Sequence, residues 1–126
     1  MTSEPRHEAL ERLYEAEQRG SEEADLSDIS AKAVRIIRGV LEHREDLDRS
    51  IEETSEHWRM DRMPPVDRTV LRIGLYELRH EPGVPAAVIV SEAVELAKTF
   101  STERSGSFVN GVLGHLAQLE RPPEGG

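Results

Sequence analysis

Cysteine is absent from the 126 residues, which removes disulfide staples and thiolate metal sites from consideration. Aromatic residues make up 4% of the chain, one Trp with two Tyr and two Phe, so any stacking surface rests on very few side chains. No run approaches the roughly 20 consecutive apolar residues of a membrane helix, and the opening MTSEPRHEAL has no apolar signal region. Lysine is scarce too: of 16 cations, 14 are arginine and only Lys32 and Lys98 are lysine. The length suits one domain spanning 1–126 with its own core, and the expectation is a soluble cytoplasmic protein with no membrane partner.

Charge of one sign dominates. Twenty-five acids against 16 bases leave a formal net charge of −9, which argues against non-specific attraction to phosphate backbones or anionic membranes. The excess is local. Residues 1–30 carry nine acids and three arginines, net −6, two thirds of the whole imbalance in the first quarter of the chain.

The hydrophobic period is helical almost throughout. Ala9, Leu10, Leu13 and Tyr14 mark a first helix over about 4–19, with Pro5 tolerated in its opening turn and Gly20-Ser21 as its end. Ile29, Ala33, Ile36, Ile37, Val40 and Leu41 form a second stripe, capped by Ser27 or Asp28. Leu47, Ile51, Thr54 and Trp58 share one face of a third helix. Pro64-Pro65 closes that helix and opens a fourth through Val66, Val70, Ile73 and Leu78, since proline disfavours helical geometry in the residue before it. VPAAVIVSEAVELAKTF is apolar on more than one face, the pattern of a central, well-buried helix. STERSGS reads as a polar loop, FVNGVLGHLAQL as the last helix, and 1–4 and 120–126 as flexible ends. Asn110-Gly111 falls inside a 3.6-residue period, so it is read within a helix and not as a hairpin. The fold class is all-α, with six or seven helices.

Catalytic patterns are missing. The five histidines (7, 43, 57, 80 and 115) include no i, i+4 pair and no HExxH. No phosphate-cradling GxxxxGK[ST] or GxGxxG occurs, and Arg104-Ser105-Gly106-Ser107-Phe108 is not a nucleophile elbow. Acid pairs such as Glu52-Glu53 are read as solvated faces with arginine partners. An enzyme is not expected, nor is a cofactor or metal.

Three blocks occur together in order: VDRTVLRIGLYEL from Val66, Val84-Pro85 leading to EAVELAK from Glu92, and FVNGVL from Phe108. With LERLYEAE from Leu10, this set resembles the NusB family of bacterial transcription antitermination factors. A helical domain fused to some ribosomal-RNA cytosine methyltransferases shares the pattern. The resemblance extends from about Leu10 to Leu116 and implies two packed helical lobes. It also implies a binding function: pairing with NusE, a small-subunit ribosomal protein, to hold boxA-type nascent RNA within an RNA polymerase antitermination complex, notably on ribosomal-RNA operons.

Residue by residue, the resemblance places an RNA surface on Arg6, Arg104, Ser105, Ser107 and Phe108, and a partner surface on Tyr14 and Asp67. Elementary chemistry offers plainer accounts beside these. Asp67 lies in the first turn of a helix, where the dipole favours an acid. Tyr14 is equally readable as a half-buried amphipathic tyrosine, and Phe108 as the first core residue of its helix. Arg104 can neutralise a phosphate or stack on a base. Members of the family commonly carry an acid at that position. Ser105, Gly106 and Ser107 would offer backbone N–H groups to an anion at a helix start.

The N-terminus departs from the family. The arginine-rich segment that grips RNA in NusB proteins falls on Thr2 to His7, which reads TSEPRH and keeps only Arg6. Losing about three phosphate contacts removes most of the salt-dependent part of RNA affinity. An alternative therefore stands beside the first reading: a protein-only adaptor that keeps the ribosomal-protein surface and has lost RNA binding.

Overall fold

Glycine at position 20 decides where the first helix stops. A computed structural model describes residues 4–55 and 58–122, and in it α1 (Glu4–Gln18) ends in a Schellman arrangement. Gly20 adopts φ +68°, its N–H donates to the Glu17 carbonyl, and the Ser21 N–H donates to the Ala16 carbonyl. Five further α-helices follow: α2 (Ala31–Glu42), α3 (Arg44–Ser55), α4 (Pro65–His80), α5 (Ala86–Phe100) and α6 (Glu103–Glu120), with a 3-10 turn at Met60–Arg62 before α4. No strand occurs among the described residues. The expected all-α class and helix number hold. Of the ends expected to be flexible, 1–3 and 123–126 lie outside the described residues, whereas Glu120 and Arg121 make specific bonds.

Two boundaries differ from expectation. The cap of α2 is Ser30, whose Oγ accepts the Ala33 N–H at 3.1 Å. The Glu8 carboxylate of α1 in turn accepts from the Ser30 N–H and Oγ–H. Ser27 is occupied locally by Asp25, and Asp28 sits at φ 57°, outside the extended geometry a cap needs. Helix α3 ends at Ser55, so Trp58 does not continue its buried face but stands 48% exposed.

The larger revision concerns which helix is central. Helix α5 buries only Ile89, Ala93, Leu96 and Ala97, and exposes Val88 and Phe100. The middle of the fold is α4. It packs on α1, α2 and α3 of one lobe and on α5 and α6 of the other, and is buried without interruption from Thr69 to Leu78. Close approach is enforced at two glycines. A Cβ on Gly39 of α2 would fall 2.0 Å from Tyr76 Cε1, and one on Gly74 of α4 would fall 2.6 Å from Leu113 Cδ1 of α6.

Apart from Asp67, the carboxylate and guanidinium groups of α4 are paired. Arg6 of α1 donates Nε to Glu77 Oε1 at 2.7 Å and Nη2 to Oε2 at 2.9 Å, and stands 3.8 Å from Glu92 of α5. Arg72 donates to both oxygens of Asp48 in α3 and to Glu17 in α1. Arg68 also binds Glu17. At the far end of α4, Arg121 donates to the carbonyls of Glu77, Leu78, Glu81 and Val84. It thereby satisfies the Leu78 carbonyl in the last turn of the helix and ties α6 to the turn that follows α4.

Removing one partner of the Arg6–Glu77 pair strands a buried charge. Arg6→Ala and Glu77→Ala are each expected to destabilise the chain by about 3–5 kcal/mol in urea unfolding, and Arg6→Met with Glu77→Leu together by far less than the sum of the singles. Glu17 gives a pH signature. Burial pushes its carboxyl up, but the hydrogen bond and charge of Arg68, joined by Arg72, outweigh burial and hold it below its ordinary 4.5. The folded state therefore binds that proton less readily than the unfolded chain. The stability it contributes is full above about pH 4.5 and declines as the pH falls further. Glu17→Gln should flatten the fall of Tm in that window.

Candidate nucleic-acid interface

The start of α6 is built by Thr102, a residue that pattern reading placed inside a polar loop. Thr102 is extended (φ −135°, ψ 167°), and its Oγ1 accepts the Ser105 N–H at 3.0 Å. Helix α6 consequently begins at Glu103, and Arg104 to Ser107 lie in its first turn and the start of its second. Two N–H groups expected to await an anion are already used: Ser105 donates to the Thr102 side chain, and Gly106 donates to the Thr102 carbonyl at 3.2 Å. Ser105 itself is buried, its hydroxyl paired with Ser101 and Thr102. It is a structural residue of the helix start. The Thr-Glu-Arg-Ser signal for a cap was present in the sequence.

Arg104 and Ser107 are exposed on this start, and Phe108 is half-buried. Arg104 is a cation in the first turn of a helix, where the dipole prefers an anion. Its placement therefore runs against local electrostatics unless a negative group lies opposite.

A cleft of about 390 Å³ opens beside it, lined by Trp58, Met63, Pro64, Asp67, Thr102, Arg104, Ser105 and Phe108. Trp58 and Phe108 also line a larger groove of about 700 Å³ that runs between α3 and α6 toward His115 and Leu119. Four residues singled out in the sequence (Asp67, Arg104, Ser105 and Phe108) thus converge on one concavity, with Ser107 on the adjoining groove. Trp58 joins them. Helical spacing places its indole on a face of α3, but α3 ends at Ser55, before Trp58 is reached.

The other two candidates lie elsewhere. Arg6 is only 5% exposed and committed to Glu77, so contact with a phosphate would mean breaking a buried bidentate pair. Its role is to fix α1. Tyr14 is 38% exposed on α1. Asp67, expected on a partner surface, is 3% exposed, and among the described residues its Oδ1 has no hydrogen-bond partner. No group of three or more metal-ligating side chains occurs among the described residues, and no helix among them is long and apolar enough to cross a membrane.

By class, the described residues form an all-helical fold whose concave surface is lined by the exposed Trp58, the half-buried Phe108 and Arg104, side chains suited to binding. Residues 1–118 match the NusB family model. The transcription antitermination protein NusB of Arthrobacter sp. (strain FB24) is 44% identical over 124 residues, covering 91% of each chain. The solved NusB of T. maritima superposes with a TM-score of 0.81 at 36% identity, over 90% of this chain and 88% of that one. A solved complex described as antitermination factors NusB and NusE with dsRNA gives 0.79 at 26% identity, over 94% and 96%. The chain belongs to the NusB family, whose members are transcription antitermination factors and not enzymes.

The cap at the head of the interface is testable alone. Thr102→Val removes the acceptor of the Ser105 N–H and should cost about 1 kcal/mol, seen as a drop in Tm of roughly 3–5 °C by thermal unfolding.

Proposed function

We propose that this chain is a transcription antitermination factor that pairs with the ribosomal protein NusE and holds boxA-type nascent RNA, acting in the cytoplasm as part of an RNA polymerase antitermination complex. The carrying observation is the convergence of Arg104 and Phe108 on one cleft at the N-terminus of α6, in a chain similar over nearly its full length to a protein solved with NusE and RNA. Arg104 supplies the phosphate contact, and an RNA phosphate opposite it relieves the unfavourable dipole at the helix start. Ser107 donates from the exposed face, and Phe108 offers a stacking edge. Ser105 supports them by fixing the turn. Arg6 acts through the fold, by holding α1 against α4.

Tyr14 carries the NusE-facing surface in this reading. Asp67, which the family resemblance also sends to that surface, shares its cleft with Arg104 and Phe108. The protein-only adaptor is the weaker account, because the cleft carries a cation, Arg104, and two aromatics even where the N-terminal arginines are missing.

A mobility-shift titration with boxA RNA and NusE, at two salt concentrations, tests the proposal. With only one or two phosphates neutralised, log K should fall against log[salt] with a slope of about −0.7 to −1.4. Arg104→Ala should weaken binding and reduce the slope by about 0.7, and Tyr14→Ala should weaken NusE capture in a calorimetric titration. No shift above a scrambled RNA at low salt would defeat the RNA assignment.

A further inference from the structure

Cations that the fold does not consume are concentrated on α2. That helix carries Lys32, Arg35 and Arg38 against one acid, Glu42, an excess that no other helix of the chain matches. Steps of three residues keep these cations on one side, each advanced by about 4.5 Å along the axis. Arg35 is paired with Glu81 at 2.8 Å, whereas Lys32 and Arg38 make no ion pair among the described residues. The arginines of α4, at positions 68, 72 and 79, are all bound to carboxylates.

Beside the stripe, a groove of about 380 Å³ opens between α2 and the end of α4, within the roughly 300–1,000 Å³ of ordinary ligand sites. Tyr76 forms its floor, lying against α2 where Gly39 leaves room. Three rings follow one another along it. His43 and His80 stack with centroids 4.5 Å apart at 17°, and Tyr76 lies 5.2 Å from His80. Burial, joined by His43 and Arg79, holds the exposed His80 imidazole below its ordinary 6.5, against the pull of Glu120 and Glu42. That ring is therefore neutral at pH 7 and presents a flat aromatic face. Arg35 and Arg38 rim the groove, and Glu42 is the sole acid on its lining among the described residues.

We infer that this groove is a second contact for single-stranded RNA, separate from the cleft at the heads of α4 and α6. An unpaired base continues the His43–His80 stack, while Arg38 and Lys32 take the neighbouring phosphates. The inference rests on the RNA-binding reading above and adds a surface to it. RNA uses both halves of the groove, because unpaired bases stack on imidazole and guanidinium planes. An acidic peptide would engage the cations and leave the rings idle. Helix polarity sets the arrangement. His43 and His80 stand at the C-terminal ends of α2 and α4, where the dipole disfavours anions, so bases belong there and phosphates along the cations of α2. Asp67 in the first cleft and His80 in the groove are separated by roughly 20 Å along α4. A strand held at the first cleft must therefore run on into the sequence flanking boxA to reach the second.

Two RNAs test this, boxA alone and boxA extended by about ten unstructured nucleotides at either end. Each is titrated by fluorescence anisotropy against the full chain with NusE, across a range of salt concentrations. The extended RNA should bind about 10-fold more tightly, with a slope of log K against log[salt] steeper by about 1.4 for two further phosphates. Lys32→Ala with Arg38→Ala should abolish both gains and leave boxA alone unaffected. His80→Ala should remove most of the gain in affinity but keep the steeper slope, and His80→Phe, which retains a flat ring, should restore the loss. Thermal unfolding of each variant separates these effects from misfolding. If boxA alone binds and the extension adds nothing, or the α2 variants keep the gain, the inference falls and the function stands. It falls equally if the α2 variants lose affinity for NusE without RNA, which would make the groove a protein contact. Wild-type protein that binds neither RNA removes both.

Discussion

A charge pair inside a helical core sets the register of this protein. Arg6 and Glu77 meet through two parallel hydrogen bonds at 2.7 and 2.9 Å, in surroundings where a lone guanidinium or carboxylate would be severely penalised. The pair is a demand for register more than a source of stability, because an apolar pair of similar volume could do as well energetically. It fixes α1 on α4 at one rotation. From that rotation follow the position of Glu17 beneath Arg68 and Arg72, and of Glu8 beneath the Ser30 cap. One end of α4 is then finished by Arg121 and the other by the proline step that sets Asp67. The interface inherits its geometry from these two anchors. The head of α4 and the head of α6 bring Asp67 and Arg104 to one cleft.

The helices themselves were legible because apolar spacing, prolines and glycines are local signals. Gly20 and Pro64-Pro65 each mark an observed boundary. What misled was burial. Helix α5 is rich in Val and Ala and reads as central, but Val88 and Phe100 face outward. Helix α4 contains Arg72 and Glu77, which periodicity counts as polar, although both are buried. Hydropathy cannot tell a solvated charge from a paired one, and the partners Arg6 and Asp48 are 71 and 24 positions distant from theirs in sequence.

The same blindness shaped the site. Arg6 was singled out as the surviving cation of a basic segment, and its nearest neighbours in sequence give no hint of Glu77. Phe108 and Asp67 lie in the family blocks and Arg104 in the stretch before FVNGVL, and their convergence needs the packing of α4 on α6. Trp58 required knowing that α3 stops at Ser55. Thr102, by contrast, was readable. A threonine followed by a polar first turn is a cap signal, and taking STERSGS for a loop obscured it.

Net charge ends as a statement about supply. Among the described residues, eight arginines, at positions 6, 12, 35, 49, 68, 72, 79 and 121, direct donors into carboxylates, hydroxyls or carbonyls of the fold. They count toward the formal total but leave little field at the surface. The acidic first quarter adds to the deficit where members of the family are basic. An RNA-binding surface under those constraints must draw its affinity from contacts that do not scale with charge. The aromatic walls at Trp58 and Phe108 meet that requirement, and with only five aromatic residues in the chain, two on one groove is a concentration that packing does not demand, since one of them is left half in solvent. Affinity built on stacking is also less sensitive to salt than affinity built on counterion release, so the proposed RNA contact depends less on the acidity of the chain where it uses aromatic side chains than where it uses phosphates.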